Sequence, residues 1–285
     1  MIKMKIVKSI KEMQEISIAL KRKGKIIGFV PTMGYLHEGH LSLIRLAKKK
    51  SDIVVVSIFV NPMQFGPKED FKRYPRDLKR DTKLARKAGC DVLFIPSQKQ
   101  IYPDRFSAHV NVEKLSDTLE GKFRSGHFKG VTTVVAKLFN IVQPDLAFFG
   151  QKDAQQVVII QKMAQDLNYN LKIIVAPTVR EPSGLALSSR NIYLAEDERK
   201  TAKVLFESLQ KAQSVIEQGE TNSFKIIHEM EKMILSKPKT IIDYIAITDS
   251  KTLEPLEKLS GEVLISMAVF VGSTRLIDNL KLKVK

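Results

Sequence analysis

The run Asp52–Val60, DIVVVSIFV, constrains the fold more than any other stretch of the chain. It is almost wholly apolar, rich in β-branched residues, and shows no polar alternation. A strand of that texture is buried on both faces, the situation of an interior strand in a parallel sheet. The stretch before it, Lys25–Lys50, supplies the other parts of such a unit. Lys25 to Val30 reads as a buried strand and Pro31 and Gly34 as a turn. A helix then opens near Gly39, with Leu41, Leu43, Ile44 and Ala47 available to face a sheet.

The same alternation runs through the first 176 residues. Met4–Val7 is a short strand. Ser9 and Glu12 form a capping box for a helix that ends near Lys23 at Gly24. A basic helix to Lys87 precedes the strand Cys90–Ile95, and Ala108–Val112 is a candidate strand. Glu120 to Gly130 reads as a glycine- and lysine-rich loop, followed by an apolar helix over Val131–Val142. DLAFFG is a strand ending at Gly150, Asp153 caps a helix over Ala154–Leu167, and Leu171–Ala176 is a strand. This pattern predicts an open parallel α/β sheet with the loops after the strands on one rim.

The texture changes after Pro177. A helix of about Ala195–Gln218, another over Ser223–Leu235, strands over Ile241–Thr248 and Val263–Val271, and a final RLIDNLKLKV segment predict a smaller α+β domain. The expected division is residues 1–176 and 177–285, the second acting as a lid.

Composition bears on partners. Hydrophobic residues make up 44% of the 285, enough for a substantial core. The formal net charge of +16 is spread over nearly every helix, with acids interleaved and no basic block, so a solvated lysine-rich surface is expected rather than a nucleic-acid partner. The single cysteine, Cys90, suits a reducing compartment. The longest apolar runs are of strand length, too short to span a bilayer, which points to a cytoplasmic protein.

Two of the five histidines, His37 and His40, fall where the helix near Gly39 begins. A helix N-terminus offers unpaired N–H groups and the positive end of the peptide dipoles, and imidazoles add side-chain donors to the same anion. The turn is therefore a candidate triphosphate site. Neither G-x-G-x-x-G nor G-x-x-x-x-G-K-[ST] is present. HEGH is not the H-E-x-x-H of zinc enzymes, because its histidines are three apart. Further loops fall at strand ends: Asn61 and Gln64 in FVNPMQFG; Gly150, Lys152, Asp153 and Gln156 in FFGQKDAQQ. Beyond them comes LSSRN, with Ser188, Ser189 and Arg190. Lys152 and Arg190 could balance phosphate charge, and the amides suit a small substrate rich in hydroxyl and carboxylate groups.

PTMGYLHEGH, FVNPMQFG with the downstream YPRD, GHFKGVTTVVAKLFNIVQPD, FGQKDAQQ and LSSRN, in that order, resemble the pantothenate synthetase (pantoate–β-alanine ligase) family, as does GSTRLIDN near the end. HEGH alone belongs to the wider H-x-G-H nucleotidyltransferases, whose Rossmann-like sheet the resemblance implies here. It also implies ATP-dependent condensation of (R)-pantoate with β-alanine through a pantoyl adenylate, with Mg²⁺, in a homodimer. By the same resemblance Met33, Gly34, Tyr35, Leu36, His37, Glu38, Gly39 and His40 would line the ATP site, His40 as the proton-donating histidine. Gly150, Gln151, Lys152 and Asp153 would also hold ATP, with Lys152 on phosphate. Val179 would meet the adenine, and Leu187, Ser188, Ser189 and Arg190 the phosphates. Gln64 and Gln156 would contact pantoate, Gln64 also β-alanine. Asn61 is a further substrate-binding candidate, and Asp81 is the candidate magnesium carboxylate. The rival readings are another H-x-G-H adenylyl- or cytidylyltransferase and, on charge alone, a nucleic-acid-binding module.

Overall fold

The computed structural model describes residues 4–67 and 69–284. In chain order the elements are β1 (Lys5–Val7), α1 (Ile10–Arg22), β2 (Ile27–Thr32), α2 (Glu38–Lys50), β3 (Ile53–Ile58), α3 (Leu78–Ala88), β4 (Val92–Phe94) and α4 (Gln98–Ile101). They continue with α5 (Glu120–Phe123), α6 (His127–Val142), β5 (Leu146–Gly150), α7 (Ala154–Asp166), β6 (Lys172–Ala176), α8 (Glu196–Thr201), α9 (Val204–Glu217), α10 (Ser223–Leu235), β7 (Thr240–Asp249), β8 (Gly261–Val271) and β9 (Thr274–Val284). The chain divides into two units. Residues up to Asp117, Gly121–Gly150 and Ile159–Pro177 form one; Thr118–Glu120, Gln151–Val158 and everything from Thr178 form the other.

The first unit holds the parallel sheet, ordered β1-β4-β3-β2-β5-β6. β3 lies inside it, paired with β2 and β4, and Val54, Val55 and Val56 are all fully buried. The unbroken apolar texture of the run is thus the consequence of having no solvent face. On one side Val54 and Val56 join Val30, Leu43, Ile44 and Ala47 in a single cluster. On the other side the Phe139 ring of α6 meets Phe29 of β2 and Phe149 of β5 edge-on, each at 6.5 Å. Helices therefore cover both faces, as the crossovers between parallel strands require.

From β2 the chain steps outward through β3 and β4, then returns to the other side of β2 with β5 and β6. The order reverses between β2 and β5. In an open α/β sheet the crevice beyond the strand C-termini at that reversal is where ligands bind. The loop that leaves β2 after Thr32 starts at that reversal.

The second unit has an antiparallel sheet, β7-β8-β9. Val263, Ile265, Met267, Val269 and Val271 alternate along β8 and share one cluster with Leu205 and Leu209 of α9 and Ile226, Met230 and Ile234 of α10. Period two on the strand meets period three-to-four on the helices, the pattern of a two-layer α+β unit.

Several segments differ from the sequence reading. β2 runs to Thr32 rather than stopping at Val30; its pairing with β5 covers only Gly28 and Phe29, so the missing N–H of Pro31 breaks no rung there. Ala108–Val112 is not a strand. The Val110 N–H donates to the Thr133 hydroxyl and its carbonyl accepts from Thr132, so α6 side chains satisfy this backbone in place of a neighbouring strand. The Glu120–Gly130 stretch is not a loop but carries α5 and the first turn of α6. The long helix is broken between Thr201 and Val204, where Ala202 is fully buried and the backbone tightens to a Leu205-to-Ala202 bond; no residue there marks a break.

Cys90 is 5% exposed and its Sγ donates to the Val92 carbonyl. Burial pushes its thiol up to about 12, so ionisation sets in only as pH climbs towards that value. At pH 8 only on the order of 10⁻⁴ of the thiol is ionised. The folded protein should thus fail to react with a thiol-specific disulfide reagent at pH 8. Denatured in guanidinium it should release one equivalent of chromophore.

Candidate active site

After Thr32 the backbone enters the left-handed region at Gly34 (φ +84°) and at Tyr35 (φ +48°). Positive φ at a tyrosine needs holding in place. Thr32 does part of this: its hydroxyl accepts from the Gly34 N–H at 3.2 Å and donates to the Ser57 carbonyl at 2.8 Å. Asp81, on the first turn of α3, does the rest. Its two carboxylate oxygens accept the consecutive N–H groups of Tyr35 (2.7 Å) and Leu36 (2.8 Å). Successive N–H groups around a left-handed residue make an anion nest, and the chain's own carboxylate fills this one. The Arg80 guanidinium packs over the Tyr35 ring, 4.9 Å from its centroid, and stands 3.6 Å from Asp81. Asp81 is 1% exposed. Burial raises its carboxyl above the ordinary range, while the bonds from Leu36 and Tyr35 and the Arg80 charge pull the other way.

The turn delivers the chain into α2. His37 is its N-cap, Nδ1 accepting from the Gly39 N–H at 3.2 Å, and His40 Nδ1 accepts from the His37 N–H at 3.3 Å. This is a capping box built from imidazoles instead of Ser and Glu. Since each Nδ1 is an acceptor, each neutral ring carries its proton on Nε2. The rings lie 4.1 Å apart. A Cβ at position 39 would come within 2.9 Å of the His37 ring, so the cap requires the glycine of HEGH. Glu38 turns outward to pair with Arg45.

Asn61 and Gln64 occupy the next motif, on a 3₁₀ turn over Pro62–Gln64. The Asn61 amide, 1% exposed, donates to Gln64 Oε1 (3.1 Å) and to the Gly130 carbonyl (3.0 Å), and its oxygen accepts from the Met63 N–H (3.3 Å). Gln64 Nε2 points to Met33 Sδ at 3.0 Å, which joins this motif to the turn above. A Cβ on Gly130 would sit 2.2 Å from the Met63 carbonyl oxygen, so the glycine of HFKG lets α6 meet the turn backbone to backbone. His127 Nδ1 lies 2.7 Å from the Gln64 carbonyl, and Arg124 grips Glu69 with two bonds beside it.

In the second unit, Gln151, Lys152 and Asp153 form a 3₁₀ turn. Asn279 Nδ2 donates to the carbonyls of Gln151 (3.0 Å) and Lys152 (2.8 Å) and holds it. The Lys152 ammonium stands 3.7 Å from Asp153. Val179 and Leu187 close a short hairpin, the Leu187 N–H donating to the Val179 carbonyl at 3.0 Å. Arg180 in that hairpin makes a two-bond pair with buried Asp278. Ser188 caps the 3₁₀ turn Ser189–Tyr193, its hydroxyl accepting from the Arg190 N–H at 3.2 Å.

The first unit thus gathers Met33–His40, Asn61, Gln64 and Asp81, while Gln151–Asp153, Gln156, Val179 and Leu187–Arg190 belong to the second. Sequence reasoning singles out none of Asn279, Arg180, Asp278, Arg124, His127 or Tyr102. The GSTRLIDN and GHFKG motifs contain some of them, but the partners lie tens of residues away and leave no local signal. Asp81, the candidate magnesium carboxylate, instead has its oxygens turned onto the Tyr35 and Leu36 amides.

The Pantoate-beta-alanine ligase family model matches residues 5–281. The chain belongs to the pantoate–β-alanine ligase family. It is a ligase of the kind that forms a carbon–nitrogen bond. It is 56% identical, over 99% of its length and all of the relative's, to a pantothenate synthetase of Caldicellulosiruptor saccharolyticus. A crystal structure of pantothenate synthetase from Thermus thermophilus superposes with a TM-score of 0.92 at 45% identity, covering 97% of this chain and 99% of that one. A Francisella tularensis pantoate-beta-alanine ligase, complexed with beta-gamma ATP and beta-alanine, matches at a TM-score of 0.79 and 38% identity over 98% and 97% of the two chains. The fold of this chain is that of these solved ligases. No described helix is long and apolar enough to cross a membrane.

The lock on the ligase's turn is open to direct measurement. Asp81→Asn sets an amide NH₂ against one of two backbone N–H donors and should cost about 1–3 kcal/mol in urea denaturation. Asp104→Asn, at a side chain 88% exposed beside Lys99, should leave the midpoint where it is.

Proposed function

We infer that this ligase condenses (R)-pantoate with β-alanine to give pantothenate, converting ATP to AMP and pyrophosphate. A pantoate carboxylate oxygen attacks the α-phosphorus and pyrophosphate leaves, giving pantoyl adenylate. The β-alanine amine then attacks the acyl carbon, the carbon–oxygen bond to AMP breaks, and the ammonium protons pass to solvent. The observation that carries the reading is the imidazole-capped start of α2, with both Nδ1 atoms turned onto backbone N–H groups. Two neutral rings with the proton on Nε2 are hydrogen-bond donors at the positive end of a helix, suited to charge building on a phosphate.

In this scheme Met33–His40 line the nucleotide, with His40 the donor to the phosphates and His37 beside it. Gln64 takes pantoate and β-alanine, next to Asn61, and Gln156 takes pantoate. Gly150–Asp153 hold ATP, Lys152 on phosphate; Val179 meets the adenine, and Leu187–Arg190 the phosphates. No side chain forms a bond to substrate, so the rate comes from alignment and charge neutralisation. Mg²⁺ enters bound to the triphosphate. A resident ion on Asp81 does not fit, because that carboxylate is buried with both oxygens on backbone amides. Among the described residues no three His, Cys, Asp or Glu side chains gather as a cation site. The proposed form is a cytoplasmic homodimer, a reading that rests on family resemblance alone; light scattering in solution should give twice the chain mass.

The test is to combine protein, ATP, Mg²⁺, pantoate and β-alanine and to follow pyrophosphate, AMP and pantothenate. ATP with pantoate should release about one equivalent of pyrophosphate per site, and steady AMP production should begin only when β-alanine is added. Folded protein that makes no AMP in the complete mixture would overturn the reading. AMP retained on the product would favour a nucleotidyltransferase instead. His40→Ala should slow pyrophosphate release on the order of 10²–10³-fold with the fold intact.

A further inference from the structure

Gln64 can offer an acid either its carbonyl or its NH₂, and the structure fixes which. The determinant lies one motif position back, at Asn61. Asn61 Oδ1 accepts from the Met63 N–H, which can only donate, and Asn61 Nδ2 donates to the Gly130 carbonyl, which can only accept. The orientation of the Asn61 amide follows from the chemistry of those two backbone groups. Its remaining N–H then requires an acceptor at 3.1 Å, which is Gln64 Oε1, so the Gln64 NH₂ is turned the other way, to the side of Met33.

The second lone pair of Asn61 Oδ1 is taken by a residue distant in sequence. Tyr102, at the end of α4, donates its hydroxyl to that oxygen at 2.7 Å, the shortest bond made by the Asn61 amide. With it, all four hydrogen-bonding positions of the Asn61 amide are filled, and the amide has no second orientation open to it. The Tyr102 ring is held by Phe59 at 6.1 Å and Phe106 at 5.1 Å. Its hydroxyl does not titrate in the working range, since burial pushes its ionisation well up.

We propose that Tyr102 is a positioning residue of the acid-binding site, acting through Asn61 to make Gln64 present N–H donors to the substrate carboxylate. The inference rests on the proposed role of Gln64 in holding pantoate. A donor at this position favours an ionised acid and disfavours its amide or alcohol counterparts, whose NH₂ or OH would meet another donor unless it rotated away.

The experiment is Tyr102→Phe, which deletes one oxygen and keeps the ring packing. In the complete reaction, kcat/KM for pantoate should fall about tenfold or more while KM for ATP stays within about twofold, the melting temperature shifting by only a few degrees. In a Gln64→Ala background the same substitution should have no further effect on pantoate kinetics, because the amide it orients is gone. Unchanged pantoate kinetics in Tyr102→Phe, or the same factor lost with and without Gln64, would overturn the proposal. Gln64→Glu tests the donor assignment independently of Tyr102. It keeps an acceptor for Asn61 but turns an oxygen to the substrate, and should cost more than about a hundredfold in kcat/KM for pantoate; wild-type use of pantoate would overturn the assignment. Failure of the wild-type enzyme to use pantoate at all would count against the function itself, and so stands apart from these outcomes.

Discussion

One buried carboxylate meeting two consecutive backbone amides governs the geometry of the first unit's site. The turn after β2 has to reverse direction within a few residues and deliver two imidazoles to the mouth of α2. It does so through left-handed backbone at Gly34 and Tyr35, which for a tyrosine is unfavourable alone. Asp81 compensates with two short bonds to its carboxylate, from the Tyr35 and Leu36 N–H groups. The element that carries Asp81, α3, packs against α2, so the same helix pair that closes one face of the sheet also fixes the turn. Fold and site are coupled at this point.

The site also commits most of its polar atoms to itself. His37 and His40 spend Nδ1 on capping, Asn61 has all its amide positions filled, and the nest at Tyr35 and Leu36 is occupied from within. Groups already fixed by internal bonds do not have to reorganise when charge develops on a phosphate, which is the physical content of electrostatic preorganisation. In the second unit Asn279 pins the Gln151–Asp153 turn in the same manner, side-chain amide to backbone carbonyl.

Much of this was legible in the order of the residues. The buried strand Ile53–Ile58, the helices flanking it and the start of α2 between two histidines follow from period and capping rules that act within a few residues. Where the reading failed, the decisive partner was remote. Val110 looked like strand because its neighbours alternate, but Thr132 and Thr133 on α6 satisfy its backbone. Residues 120–130 looked like loop because of their glycines, yet Gly130 sits inside a helix to let the Met63 carbonyl approach. The family resemblance makes Asp81 a candidate magnesium carboxylate, and no neighbouring residue signals the Tyr35 and Leu36 amides it meets.

Sequence by itself determined the class of sheet, the two textures on either side of Pro177 and the family, because hydrophobic period and long ordered motifs are local or linear properties. Tertiary structure decided which way each polar atom points. The Tyr102 hydroxyl reaches Asn61 across 41 residues, and Asp81 reaches Leu36 across 45. Hydrogen-bond direction depends on distance and angle between groups that only folding brings together, and no spacing along the chain encodes it.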